Sequence, residues 1–448
     1  MREITKGSVS TEITPSSVLS TIAKHMLVDG FPIVVDLEKS SGCRLVDAAT
    51  GRTFLDLFTF FASAPLGLNH PKMIKAEVRR KLELAAVNKP SNSDFYTVFM
   101  AEFVETADRY AIPKELPNLF LISGGALAVE NALKAAFDWK VRKNYQKGAA
   151  KETGTKVIHF KEAFHGRTGY TLSLTNTDPI KTDYFPKFDW PRISNPKVRF
   201  PLNAHLSEVQ KMENQAKSEI EQAISEHGAD IAALIIEPIQ GEGGDNHFRP
   251  EFLQFLRKIT EENDIIFICD EVQSGVGMTG KFWAYEHAGI IPDIIAFGKK
   301  MQICGIMASD KLNEVDGVFK VSSRINSTWG GNLADMVRAK HYLEIIHEDN
   351  LIDNARDVGQ LMLDSLTGIS EIYPEVVTNV RGKGFMIAFD LPDVETRGKF
   401  IQKAFEKQVI VAVCGTRSVR FRPALSLTRS EAEEGMGIIG EALKEVLG

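Results

Sequence analysis

Apolar residues in this chain fall into short dense runs separated by longer amphipathic stretches. Lys156–Phe160 (KVIHF), Ile231–Ile236 (IAALII), Ile265–Cys269 (IIFIC) and Ile294–Phe297 (IIAF) have the length and composition of strands buried on both faces. The stretch GALAVENALKAAFDWKVRKN predicts a helix with Val129, Leu133, Ala136, Phe137 and Val141 on one stripe, and Pro250–Glu262 a second helix packed through Phe252, Phe255, Leu256 and Ile259. A further helix is expected from Pro71 to Ala86. Strands that alternate with helix-length connections predict an α/β fold, with a mostly parallel sheet covered on both faces.

The two ends of the chain read differently. Up to Asn69 the pattern suggests short strands with turns at Ser41-Gly42 and Thr50-Gly51. From Leu333 helical periodicity gives way to strands near Gly384–Asp390 and Val409–Val413, then to a final helix. This predicts a smaller α+β domain at 336–448, joined by the N-terminal segment 1–70, beside a large domain at 71–335.

Composition narrows the function. The chain has 448 residues, 44% hydrophobic and 25% charged, with 53 basic against 59 acidic side chains and a net charge of −6. That balance gives no electrostatic footprint for nucleic acid or an anionic membrane. Cys43, Cys269, Cys304 and Cys414 are far apart and form no CxxC, so they are expected as reduced thiols. The first residues lack the apolar core of a secretory signal, and no run of ~18 apolar residues occurs. A cytoplasmic location is therefore expected. Scattered histidines without HExxH argue against a metal, and the absence of GxxxxGK[ST] argues against a P-loop ATPase.

Chemistry gathers at the predicted strand ends. Glu237 and Glu242 follow one strand (EPIQGEGG), Asp270 and Glu271 the next (CDEVQSG), and Lys299 and Lys300 the third (FGKK). Singly, each reads as surface charge at the start of a loop. Carboxylates and a lysine converging on one rim form an active-site arrangement, because ligands of such sheets bind beyond the carboxyl ends of the strands.

The segments SGGALAVENALKAA, AFHGRTGYTLSLT, EPIQGEGG, CDEVQSGVGMTG, PDIIAFGKK and STWGGN, in that order, resemble the class III (fold-type I) pyridoxal-phosphate aminotransferases over nearly the whole chain. The resemblance implies a large domain with a seven-stranded-type sheet between helices, and pyridoxal 5'-phosphate as cofactor. Lys299 would hold the cofactor's aldehyde and shuttle a proton, and Lys300 would point elsewhere. Asp270 would keep the ring nitrogen protonated, with Val272 and Phe164 on the two ring faces and Gln273 on the phenolic oxygen. Gly125 and Ala126 would offer backbone N–H groups to the phosphate at a helix start. This loop lacks the hydroxyl and the acid usual in the family, so Thr328 of a neighbouring subunit is expected to help, which implies a homodimer with shared sites. Glu271 and Arg422 are expected to be structural, and His165 a satisfied turn residue.

Two arginines set the substrate expectation. Arg420 matches the family residue that takes the α-carboxylate of 2-oxoglutarate or glutamate, and Glu242 the residue that pairs with it when the substrate brings no carboxylate. The glycines beside Glu242 suggest room to swing. Arg167 would anchor a carboxylate far from the reacting carbon, as an ω-amino acid has. NKPSNSD, TLSLTNT, YFPKFDWPRI, FGKKMQICGIMA and RINSTWGGNLADMVRA, with Met278 in place of a common arginine, resemble members that use the ε-amine of L-lysine. Asn326 and Ser327 are then candidates for the distal end of lysine, and Phe60 to Ser63 for the pocket wall. The expected reaction gives glutamate and 2-aminoadipate 6-semialdehyde. Ornithine or 4-aminobutyrate as donor is the alternative; a non-catalytic protein of this fold is disfavoured because Lys299, Asp270 and Arg420 are all present.

Overall fold

Seven strands form one sheet, and the three in its middle are buried along their whole length. The computed structural model describes residues 13–447, so the first part of the 1–70 segment lies outside it. The strand order is Asn118–Ile122, Cys304–Ala308, Ile294–Phe297, Ile266–Asp270, Ile231–Ile236, Lys156–Phe160, Arg192–Ile193. The last five run parallel; Cys304–Ala308 is antiparallel to both of its neighbours. Alternating side chains face opposite sides, as the pleat requires. Ile266 and Ile268 join a core under the helix Gly125–Gln146, whereas Phe267 and Cys269 join the core that contains Phe252 and Leu256 of the helix Pro250–Glu262.

The register decides where the site falls. Ile236 lies beside Cys269 and Ala296 beside Asp270, so the parallel strands end together and the residues after them share one rim. A second, four-stranded antiparallel sheet carries Ser418–Phe421 between Met386–Asp390 and Ala412–Cys414. Beside it, Thr53–Asp56 pairs in parallel with Val409–Ile410, tying an early segment of the chain to a late one. Among the described residues no helix is long and apolar enough to cross a membrane.

Several local expectations need correction. The helix expected from Pro71 begins at Ala76, because the chain first turns at His70–Ile74 and Lys75 is extended. The link between Ile266–Asp270 and Ile294–Phe297 has no long helix, only short turns such as the 3-10 segment Ala284–Ala288. The helix Gly125–Gln146 is not one-striped. Ala128, Leu133, Ala135 and Trp139 are buried on several sides, and so are polar residues with partners. Lys140 Nζ donates to the Asp264 carbonyl at 2.6 Å, and Asn144 Nδ2 to the carbonyls of Thr153 and Ala229, both at 2.9 Å. A helix roofed by loops as well as by a sheet carries buried polar groups wherever a loop supplies acceptors.

His159, fully buried in the strand Lys156–Phe160, is pushed down to about 3 by burial, with Arg192 and His165 adding to the shift. The unfolded chain protonates this ring first, so the stability it contributes is present above about pH 6.5 and is lost as pH falls toward 3. Urea unfolding at pH 7.5 and pH 5.0 is expected to show a loss on acidification that is smaller in His159→Gln by about 2 kcal/mol. An unchanged pH difference in the variant would remove His159 from the acid response.

Candidate active site

Beyond the strand ends lies a cavity of about 590 Å³, lined by Lys299, Asp270, Val272, Gln273, Glu237 and Glu242 from the rim. Gly125 and Ala126 from the start of the long helix, the loop Phe164–Thr168, Lys181 and Phe61 complete its wall. Of the residues singled out from sequence, Arg167 also lines it, and Arg420 enters from the four-stranded sheet through its pair with Glu242.

Lys299 follows the strand Ile294–Phe297 on a tight 3-10 turn, with φ of 48°. Burial and the nearby Arg420 lower the pKa of its amine below the ordinary lysine range. Its Nζ sits 5.8 Å from the centre of the Phe61 ring. Lys300 turns away: its Nζ donates to the Gln273 carbonyl at 2.6 Å and is fully buried. Adjacent lysines are thus separated into one that faces the cavity and one that braces the loop below it.

Asp270 ends its strand with Oδ1 accepting from the Val272 N–H at 3.1 Å and Oδ2 2.8 Å from His165 Nδ1. An ionised carboxylate only accepts, so the ring donates through Nδ1. His165 is therefore more than a turn residue; it orients Asp270. Its own backbone N–H is fixed by Thr175 Oγ1 at 2.9 Å. Glu237 performs a similar bracing role between loops. Its two oxygens accept from the N–H groups of Phe164 and Gly241, each at 2.9 Å. Burial pushes its carboxyl up to about 7, against the opposing pull of His165. Glu271 accepts from Ser274 Oγ and the Tyr285 N–H and does not line the cavity.

The loop Phe164–Arg167 approaches the long helix closely. Gly166 has φ of 112°, and a Cβ there would come within 2.4 Å of Ala126 Cβ. The first N–H groups of that helix, at Gly125 and Ala126, have no intrahelical acceptor and border the cavity. The pocket thus combines an amine whose pKa is lowered by burial, an oriented carboxylate, an aromatic wall and helix-start amides. It suits a flat, anionic ligand that carries an electrophilic carbon and a basic ring atom.

A cluster of charge closes the other side. Arg420 is only 2% exposed, and its Nη2 donates to Glu242 Oε2 at 2.9 Å. Arg422 forms a buried pair with both oxygens of Asp245, at 2.8 and 2.5 Å. Gln273 Oε1 accepts from both arginines, at 3.3 Å from Arg420 Nη1 and 3.1 Å from Arg422 Nη2, which leaves its NH₂ group as the end able to donate. Lys181 was missed by sequence reasoning. Its Nζ donates to Glu242 Oε1 at 2.5 Å. Burial would raise the Glu242 carboxyl, but Arg420 and Lys181 outweigh it and hold it below the ordinary carboxylate range. The backbone beside Glu242 is closely packed: a Cβ on Gly243 would lie 1.9 Å from the Glu162 carbonyl, and the Glu242 carbonyl accepts from Gly415 N–H at 2.9 Å.

Phe61 reaches the cavity from an unusual segment. Thr59, Phe60, Phe61 and Ala62 have φ of 44°, 52°, 59° and 62°, a left-handed turn without glycine. Such a conformation costs about 1–2 kcal/mol per residue. It is held by Asp56 Oδ1, which accepts from Phe58 and Thr59 N–H at 2.9 and 2.8 Å, and by Thr59 Oγ1, which donates to the Arg422 carbonyl. Phe60 and Ser63 are outside the cavity lining. Asn326, Ser327 and Thr328 are outside it too. Thr328 lies by the 91–94 segment, where its carbonyl accepts from Ser91 Oγ at 2.5 Å.

The family profile described as "Aminotransferase class-III" matches residues 26–443. The L-lysine-epsilon aminotransferase of Amycolatopsis lactamdurans is 50% identical over 430 residues, which cover 95% of each chain. That of Streptomyces clavuligerus is 49% identical over 435 residues, 96% of this chain and 94% of its own. A solved structure, "Lysine aminotransferase from M. tuberculosis in the internal aldimine form", superposes with a TM-score of 0.95 at 49% identity, covering 97% of this chain and all of that one.

The buried Arg422–Asp245 pair yields a stability prediction. Asp245→Ala leaves a guanidinium uncompensated at 1% exposure and is expected to cost about 3–5 kcal/mol in urea unfolding. Asp245→Ala combined with Arg422→Met should recover part of that loss, since no unpaired charge is left behind. Equal stability of Asp245→Ala and the parent would show that the pair does not hold the loop.

Proposed function

The chain belongs to the class-III aminotransferases, and from that premise we propose that it transfers the ε-amino group of L-lysine to 2-oxoglutarate. The observation that carries the acceptor half is the Arg420–Glu242 pair, in a pocket that also contains Arg167. The donor half is supported by lysine-directed relatives at about half identity over nearly the whole chain.

The cofactor is pyridoxal 5'-phosphate. When bound it supplies an aldehyde carbon that captures amines and a ring that withdraws electrons from the adjacent carbon. Lys299 would hold it by its amine, and that same amine would be placed to carry a proton to and from the substrate carbon. Asp270, oriented by His165, would hold the proton on the ring nitrogen. Phe164 and Val272 would confine the ring, Gln273 would donate to its phenolic oxygen, and the amides of Gly125 and Ala126 would take the phosphate. Thr328 of a second copy completes the phosphate site, so the working unit is a homodimer, and it is cytoplasmic.

The residues divide the two half-reactions between them. With L-lysine, the reacting end is a bare methylene, and Glu242 offsets the charge of Arg420 beside it. The distal carboxylate goes to Arg167, with Asn326 and Ser327 from the second copy as further partners. With 2-oxoglutarate, Arg420 takes the α-carboxylate and Arg167 the distal one. Nitrogen leaves the ε-carbon of lysine, which becomes the aldehyde of 2-aminoadipate 6-semialdehyde. That aldehyde then condenses with its own α-amine, with loss of water, to a piperideine carboxylate. Ornithine differs by one methylene, worth about 1–3 kcal/mol of discrimination.

The test is isotope transfer. L-lysine labelled with heavy nitrogen only at the ε-position, incubated with the holoenzyme and 2-oxoglutarate, is expected to give labelled glutamate. Unlabelled glutamate would mean α-transamination and would overturn the assignment of Arg167. No glutamate from lysine, but glutamate from ornithine or 4-aminobutyrate, would move the donor. Borohydride treatment should fix the cofactor covalently in the parent and in Lys300→Ala but not in Lys299→Ala; the reverse would exchange the roles of the two lysines.

A further inference from the structure

Glu242 is held from two sides. One carboxylate oxygen accepts from Arg420 at 2.9 Å and the other from Lys181 at 2.5 Å. The two cations differ in setting. Arg420 is rigid and almost wholly buried on a strand of the four-stranded sheet, whereas the Lys181 side chain is 24% exposed. Lys181 ends a 3-10 turn that begins with Asp178, whose side chain accepts from the Ile180 N–H at 3.1 Å. Its Nζ also lies 5.7 Å from the centre of the Phe164 ring. Lys181 is thus positioned by contacts that do not depend on where the Glu242 carboxylate points.

We propose that Lys181 is the second pole of a carboxylate exchange: it retains the Glu242 carboxylate when an incoming α-carboxylate takes Arg420. This rests on the assignment of Arg420 to the α-carboxylate of the acceptor. An ionised carboxylate without a partner in a partly buried pocket is expensive, so displacement of Glu242 from Arg420 needs somewhere for its charge to go. The backbone of Glu242 is pinned by the close approach of Gly243 to the Glu162 carbonyl, so the side chain alone must make the move. With Lys181 already bonded to one oxygen, the side chain exchanges one of its two cationic partners and is never left alone. Lys181 therefore acts through Glu242 and is a positioning residue. Its effect falls on molecules that bring a carboxylate to Arg420, not on the distal anchor at Arg167.

The test uses glutarate, a dicarboxylate with the spacing of 2-oxoglutarate and no reacting carbonyl, titrated calorimetrically into the holoenzyme. Lys181→Met and Lys181→Gln are each expected to weaken glutarate binding about tenfold, a loss of about 1.4 kcal/mol, and Lys181→Arg to restore it to within about threefold. In a Glu242→Gln background, Lys181→Met should change the affinity by less than about twofold, because no carboxylate remains to be retained. Unchanged affinity in both neutral variants would overturn the proposal. So would an equal tenfold loss in the Glu242→Gln background, since Lys181 would then be touching the dicarboxylate itself. Glutarate binding needs no turnover, so failure of nitrogen transfer from lysine would remove the donor assignment and leave this result standing.

Discussion

A guanidinium that is almost completely shut away from water must have compensating charge around it, and Arg420 sets that requirement for the whole pocket. Glu242 supplies the charge, Gln273 shares its carbonyl oxygen with Arg422, and Arg422 is in turn neutralised by Asp245. These residues come from the rim of the large sheet and from the four-stranded sheet, so the same network that balances charge also joins the two sheets across the site. The left-handed turn carrying Phe61 depends on it as well, because the Thr59 hydroxyl is tied to the Arg422 carbonyl. A pocket organised in this way sets the charge of Arg420 against a single carboxylate side chain, that of Glu242.

The opposite wall is rigid. The carboxyl ends of parallel strands deliver Glu237, Asp270 and Lys299 to one rim; the side chains of Glu237 and Asp270 are fixed by bonds to loops, and the Lys299 carbonyl accepts from the Gln302 N–H within its turn. Around the cavity Lys299 and residues 59–62 hold positive φ, a backbone strain that the surrounding contacts offset. Such fixed placement suits proton transfer, which needs fixed distances.

Much of this was legible in the chain. Continuous apolar runs marked the central strands because burial on both faces removes the usual alternation, and the acids and lysines following them marked the rim. The choice of Lys299 over Lys300 came from family resemblance and not from spacing, since two adjacent lysines are equivalent until a turn separates them. What sequence could not supply were contacts between distant segments. His165 and Asp270 are 105 residues apart, and Lys181 and Glu242 are 61 apart. Nothing in the composition of Thr59–Ala62 announces a left-handed turn, because non-glycine residues adopt it only under tertiary constraint. The antiparallel strand Cys304–Ala308 was missed for a related reason: a short apolar run carries no information on its direction. Asn326, Ser327 and Thr328 were named from the sequence, yet one copy of the chain does not bring them to the cavity.

The central claim is that Glu242 neutralises Arg420 in the lysine half-reaction and is dispensable in the glutamate half-reaction. Single-turnover kinetics of Glu242→Gln holoenzyme, followed through cofactor absorbance with L-lysine and separately with L-glutamate, test it most directly. The lysine half-reaction should slow by about tenfold or more, equivalent to at least ~1.4 kcal/mol of barrier, with the glutamate half-reaction within about threefold of the parent. Equal changes in both half-reactions would contradict the claim.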